Sequence, residues 1–131
     1  MVPSIQAATL WGGLLILLVL ALSTLVVRRR RRFQVAFGDG GHEPLRDAIR
    51  AFGNATEYVP VGICALILLA FLGVPPWLIH GVGSVLFAGR VIHALGMIYQ
   101  RDPSFGRSIG MILTWLPLLV AGVILVGWSV L

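Results

Sequence analysis

Between Ile5 and Val27 there is no charged side chain, and the next five residues, Arg28 to Arg32, are all arginine. An apolar run of that length crosses a hydrocarbon core of roughly 30 Å as a helix. The positive charge follows the run instead of preceding it, the run is too long for a secretory leader, and no small-residue cleavage site follows. The expectation is therefore a retained first transmembrane helix. The rest of the 131-residue chain has the same character: 58% of residues are hydrophobic, only 11% are charged, and mean hydropathy is +0.96. A soluble domain carries about a quarter charged residues. So much apolar surface must face lipid or other helices, and the lipid bilayer is the first expected partner.

The chain is basic, with a formal net charge of +5. Every basic residue is Arg, and half of them lie in the run after the first apolar segment. That placement reads as a topology determinant and a contact for lipid phosphates. No aromatic residues interleave the basic ones as a nucleic-acid surface requires, so no nucleic-acid partner is expected. Cys64 is alone in an apolar run, which excludes an intrachain disulfide and reads as a small buried hydrophobe. The chain offers no convergent set of His, Cys and carboxylate ligands, so no metal site is expected.

Four helices account for the sequence as a single domain over residues 1–131, at about 5–27, 45–72, 77–99 and 107–130. Gly38-Asp39-Gly40-Gly41 reads as a turn between the first two. Pro44 suits the opening of the second helix, and Pro60 should disturb it locally. Gly73-Val74-Pro75-Pro76 is a short turn, and Arg101-Asp102-Pro103-Ser104 breaks the third helix from the fourth. The expected fold is all-α, an up-and-down four-helix transmembrane bundle. In that topology Arg28 to Arg32, Arg101 and Arg107 gather on one side. The N-terminus, the Gly73–Pro76 turn and the C-terminus gather on the other, without side-chain charge. By the positive-inside rule the Arg-rich side is cytoplasmic and both termini are non-cytoplasmic.

Ionisable residues at membrane depth cost a few kcal/mol and must face protein or water. Arg50, Asn54 and Glu57, at i, i+4 and i+7, share a face of the second helix; Arg90 and His93, at i and i+3, share one of the third. Counting from the tight turn, Glu57 lies about 22 Å and Arg90 about 20 Å into their helices at 1.5 Å per residue, which predicts a Glu57–Arg90 ion pair within a subunit or across an oligomer interface. The polar wall supports two readings, a structural lock or a ligand site. An excess of Arg over carboxylate favours an anionic ligand held by Arg forks. His93 alone reads as a packing residue, His80 near the opposite face as a still blander one, and His42 has no evident partner. Trp115, deep in the fourth helix, is expected to pack.

Arg50-Ala-Phe-Gly-Asn54-Ala-Thr-Glu57-Tyr58-Val-Pro60 fits the pattern R-A-x-x-N-x-x-E-Y-x-P. It resembles the second helix of the membrane-associated proteins in eicosanoid and glutathione metabolism, the MAPEG family, which includes leukotriene C synthase, microsomal prostaglandin E synthase and microsomal glutathione transferase. The likeness extends to the basic first loop, Arg90-x-x-His93 and Arg107-Ser108. Gly38-Asp-Gly-Gly and Pro75-Pro76-Trp77 are most similar to the short bacterial branch, which implies a bacterial inner membrane. The resemblance implies a homotrimer with glutathione bound between subunits near the cytoplasmic side, as a glutathione transferase or peroxidase acting on a lipophilic small-molecule substrate. It assigns glutathione contacts to Arg50, Asn54, Glu57 and Tyr58, to Arg90 and His93, to Ser108, and to an Arg of the first loop such as Arg28. The thiol-activating Arg is Arg107, with Arg101 as rival. Met97 stands where eicosanoid-making members carry Tyr, which weakens the expectation of catalysis more than that of binding. The alternatives are a non-catalytic membrane binding or scaffold protein of the same fold, and a small proton-coupled transporter using Glu57.

Overall fold

The computed structural model describes residues 2–99 and 105–130. Four helices follow in chain order, α1 (Pro3–Phe33), α2 (Glu43–Phe71), α3 (Pro76–Tyr99) and α4 (Phe105–Val130). Each is long and apolar enough to cross a membrane, and no strand occurs among the described residues. The protein is an all-α, multi-pass integral membrane protein, because an open sheet edge or an irregular segment exposed to lipid would leave backbone groups unsatisfied.

The helices extend beyond their apolar runs. Arg28 to Arg32 do not form a loop: they are the last turns of α1, which at 31 residues is about 46 Å long. Arginine is a good helix former, and nothing breaks the helix before Gln34, which turns left-handed at φ 56°. Two of the five arginines then fasten the α1–α2 connection. Arg29 donates to the carbonyl of Pro44, while Arg30 donates to those of Ala36 and Gly38 at 3.1 and 2.9 Å. Gly38, Gly40 and Gly41 have positive φ, and Asp39 accepts from the Gly41 N–H at 3.0 Å, so the Gly-rich segment is a turn capped by its own aspartate. His42 has a partner after all, stacking on Phe33 with ring centroids 4.3 Å apart.

Leu15, Leu66, Leu69, Ile79 and Leu86 are fully buried and join α1, α2 and α3 in one core. Among the described residues α1 packs on α2 and α3, α4 packs on α3 and α2, and α1 does not approach α4. At the uncharged end Ser4 donates to the Val74 carbonyl at 2.7 Å, fixing the start of α1 against the α2–α3 turn. Nearby, Trp11 Nε1 donates to Nδ1 of His80 at 3.0 Å.

Helices α3 and α4 approach most closely, because glycine allows it. A Cβ on Gly89 would lie 2.7 Å from the Leu113 carbonyl carbon, and one on Gly110 would run into the His93 backbone. Without a hydrophobic drive between helices in lipid, this small-residue contact is what brings their backbones together. It also sets Arg90 and His93 of α3 directly against the first turns of α4.

Candidate functional site

Arg90 has no exposed surface and is the largest fully buried side chain. Its Nη2 donates to Asn54 Oδ1 at 2.7 Å, and its Nη1 lies 3.3 Å from Thr114 Oγ1 and 3.8 Å from Met111 Sδ. The guanidinium carbon stands 5.3 Å from the ring centroid of Tyr58, a cation–π contact. Arg90 Nε is buried without a hydrogen-bond partner. Among the described residues the carboxylate–arginine ion pairs are those of Arg46 with Glu43 and Asp47, at 3.7 and 3.6 Å near the start of α2. The centre of the site is thus a buried cation held by neutral dipoles and an aromatic face.

The expected Glu57–Arg90 pair is not formed within the chain. A helix turns about 100° per residue, so the four polar positions of α2 fan out although they share a side. Tyr58 and Asn54 lie nearest the buried stripe of Ala51, Ala55, Val59 and Leu66, while Arg50 and Glu57 lie on its far edge. Accordingly Asn54 and Tyr58 are half-buried, and Arg50 and Glu57 are exposed with no side-chain hydrogen bond or ion pair among the described residues. Depth matched Glu57 to Arg90; azimuth gave the place to Asn54 and Tyr58. Cys64 follows the same rule. Seven residues after Glu57, it is exposed on the outward face and is not the buried residue its apolar neighbours suggest.

His93 is buried, and its Nδ1 lies 2.9 Å from the backbone carbonyl of Arg107. A carbonyl only accepts, so Nδ1 carries the proton and the imidazole tethers α3 to the first turn of α4. Arg107 is half-buried there, with Ser108 exposed beside it. Arg101 lies outside the described residues. Arg28 lies on the face of α1 opposite its buried residues, and no hydrogen bond or ion pair joins it to the Asn54–Arg90 pair.

Three contributors escaped the sequence reading. Thr114 and Met111 flank the guanidinium, and Trp115, expected to pack, is 56% exposed with its indole Nε1 3.4 Å from the Tyr58 hydroxyl. Threonine and methionine carry no signal of their own in an apolar helix. Their spacing does: Arg107, Met111 and Thr114 repeat at i, i+4 and i+7, the rhythm of Arg50, Asn54 and Glu57. Toward the membrane centre, α1 and α2 border an apolar groove of about 390 Å³ lined by Ile16, Val19, Val59, Pro60, Ile63 and Cys64. Among the described residues no group of His, Cys, Asp and Glu is placed to hold a metal ion.

The arrangement offers a cluster of donors and charges toward the Arg-rich end, beside apolar walls that lead into lipid. Two relatives, each named inner membrane protein YecN, come from Escherichia coli strain K12 and from Escherichia coli O6:H1 strain CFT073. Each is 41% identical over 115 residues, covering 88% of this chain and 86% of the relative. The sequence pattern of the MAPEG family matches residues 8–127, nearly the whole chain, and so spans all four helices. The chain belongs to the MAPEG family.

Proposed function

We propose that the protein binds glutathione in the inner membrane and acts as a transferase or peroxidase on lipophilic electrophiles. The observation that carries this reading is the buried Arg90, which among the described residues has an unsatisfied Nε and no paired carboxylate. A buried cation left with neutral partners forgoes the stabilisation an anion would give, which is the situation of a binding site and not of a finished structural lock. Glutathione presents two carboxylates and one ammonium group, and the unpaired Arg50, Arg90 and Glu57 match that charge pattern.

When bound, glutathione supplies the sulfur nucleophile. Arg50 and Arg90 hold carboxylates by charge-assisted forks, Asn54 and Tyr58 fix the orientation of Arg90, and Glu57 takes the ammonium group. Arg107, at the start of α4, favours the ionised form of the thiol, with Arg101 as rival, and Ser108 adds a hydroxyl beside it. His93 acts on Arg107 through the backbone. The apolar groove between α1 and α2 and the exposed ring of Trp115 give a lipophilic substrate a route from the bilayer.

Arg50 and Glu57 face outward from the subunit, which supports a homotrimer in which a neighbouring copy covers α2. The Arg-rich ends of the helices are cytoplasmic, and both termini lie on the other side. The half-buried Met97, packed against the apolar core, favours a second reading in which the cleft binds glutathione without catalysis. Calorimetric titration of the purified protein with glutathione, followed by thiolate absorbance, separates these outcomes. Binding with thiolate formation supports the enzyme, binding without it supports the second reading, and no heat at millimolar glutathione overturns both.

A further inference from the structure

At the uncharged end two side-chain hydrogen bonds, among the described residues, tie α1 to the rest of the bundle. Ser4 holds the Val74 carbonyl, and seven residues on, two turns along the same face, Trp11 holds His80 of α3. The first bond does not titrate. The second depends on a ring nitrogen: an indole N–H only donates, so Nδ1 of His80 must offer a lone pair and the imidazole must be neutral.

Trp11 is fitted to α3. The indole takes the place of a side chain at Gly83, where a Cβ would run into Cβ, Cγ and Cδ1 of Trp11. The ring centroid of Phe87 stands 6.2 Å from the indole and that of His80 6.3 Å, the latter nearly perpendicular at 80°. Trp11 is half-buried while His80 is exposed, so protons reach the imidazole although the indole is enclosed. Toward α2 the seat of α1 is looser. A Cβ on Gly13 would meet nothing within 4 Å, and one on Gly12 would only touch Ile63 at 4.0 Å. These two glycines border an apolar groove of about 440 Å³ between α1 and α2.

We infer that Trp11 and His80 form a proton-sensitive latch: neutral His80 bolts α1 to α3, and protonation of His80 releases the first third of α1 toward the groove. Protonation puts a second N–H on the imidazole, so two donors face each other and the hydrogen bond is lost. The bond runs along the indole N–H, in the plane of that ring. The imidazole therefore sits at the indole edge and not over its face, where a cation would be held. Adjacent glycines weaken a helix, so α1 bends at Gly12-Gly13 once Trp11 lets go, with Ser4 as the remaining anchor. No neighbouring charge overrides this step. Among the described residues α1 has no ionisable side chain before Arg28 and α4 has none after Arg107. The nearest on α2 are Cys64 and Glu57, and on α3 Arg90 lies ten residues on, about 15 Å along the axis. Histidine changes charge between about pH 5 and 8, so the latch answers to mild acid, on the non-cytoplasmic side in the topology proposed above.

The test is hydrogen–deuterium exchange of the purified protein in lipid nanodiscs at about pH 7.5 and about pH 5.5, corrected for intrinsic exchange at each pH. Peptides covering Ile5 to Ile16 are expected to exchange about fivefold faster in acid in the wild type, the effect of one lost hydrogen bond. His80→Asn puts Oδ1 in the place of Nδ1, accepts from the indole and does not titrate. Its α1 should keep the neutral-pH protection of the wild type at both pH values. His80→Leu has the same shape without an acceptor and should exchange at the faster rate at both. The inference is overturned by a wild type that acid does not loosen, or by acid loosening of the same size in His80→Asn. A His80→Leu variant as protected as the wild type at neutral pH overturns it too.

Discussion

Arg90 Nη2 and Asn54 Oδ1 lie 2.7 Å apart, joining α3 to α2 through a bond between a charged donor and a neutral acceptor. A carboxylate at that position would neutralise the guanidinium within the chain. With an amide there, Arg90 is held in orientation and keeps its charge for another partner. Asn54→Asp is therefore expected to raise thermal stability in detergent, by pairing the buried cation, and to weaken glutathione binding at least about tenfold. Scanning fluorimetry and calorimetry on the same samples check both signs, and a variant that binds as well as the wild type refutes this role for the pair.

Arg90→Leu separates site from lock. An apolar replacement of a buried ion is often neutral or stabilising, so unfolding should shift by no more than about 1 kcal/mol. Glutathione binding should be lost. A loss of several kcal/mol in stability would instead make Arg90 a structural element.

Glu57→Gln removes a charge that has no side-chain hydrogen bond or ion pair among the described residues. Stability of the isolated subunit should stay within about 0.5 kcal/mol, as for surface substitutions. Affinity for glutathione should fall about tenfold or more, an ion pair with its ammonium group being lost. Vesicle assays of proton-coupled transport provide the control: transport present in the wild type and absent from this variant would favour a transporter.

Arg107→Ala should abolish the thiolate absorbance while leaving part of the binding. His93→Phe retains the ring volume but removes the bond to the Arg107 carbonyl. It should lower the thiolate signal by a smaller factor, with binding changed less than twofold or so. Should Arg101→Ala rather than Arg107→Ala abolish the signal, the activating residue lies in the α3–α4 connection.

Gly110→Ala tests the packing that brings these residues together. Its new Cβ would collide with the His93 backbone, forcing α3 and α4 apart at a cost of about 1–3 kcal/mol. Lower thermal stability and weakened glutathione binding should appear together in this variant.

The membrane fold was legible because a bilayer enforces its own grammar: apolar length marks a span, and one-sided arginine marks a face. Helix ends were not legible, since hydropathy records where hydrocarbon stops and not where the backbone stops winding. That is why Arg28 to Arg32 read as a loop and are helix. In the site, Arg50, Asn54, Glu57 and Tyr58 were visible as a motif, but depth alone could not rank them. Rotation about the helix axis decides which of them reaches Arg90, and it chose the amide and the ring over the carboxylate. Thr114 and Met111 went unnoticed because neither residue type stands out in an apolar helix.

The single cysteine has a use that its chemistry alone does not suggest. Arg50, Glu57 and Cys64 recur every seven residues along the outward face of α2, which puts the native thiol about 10 Å along the axis from Glu57. A spin label attached there needs no engineered mutation and no removal of competing thiols. In a ring of copies, dipolar distances between such labels would report the number of subunits and the separation of their α2 helices, and their line shapes would register glutathione arriving one and a half nanometres or so away.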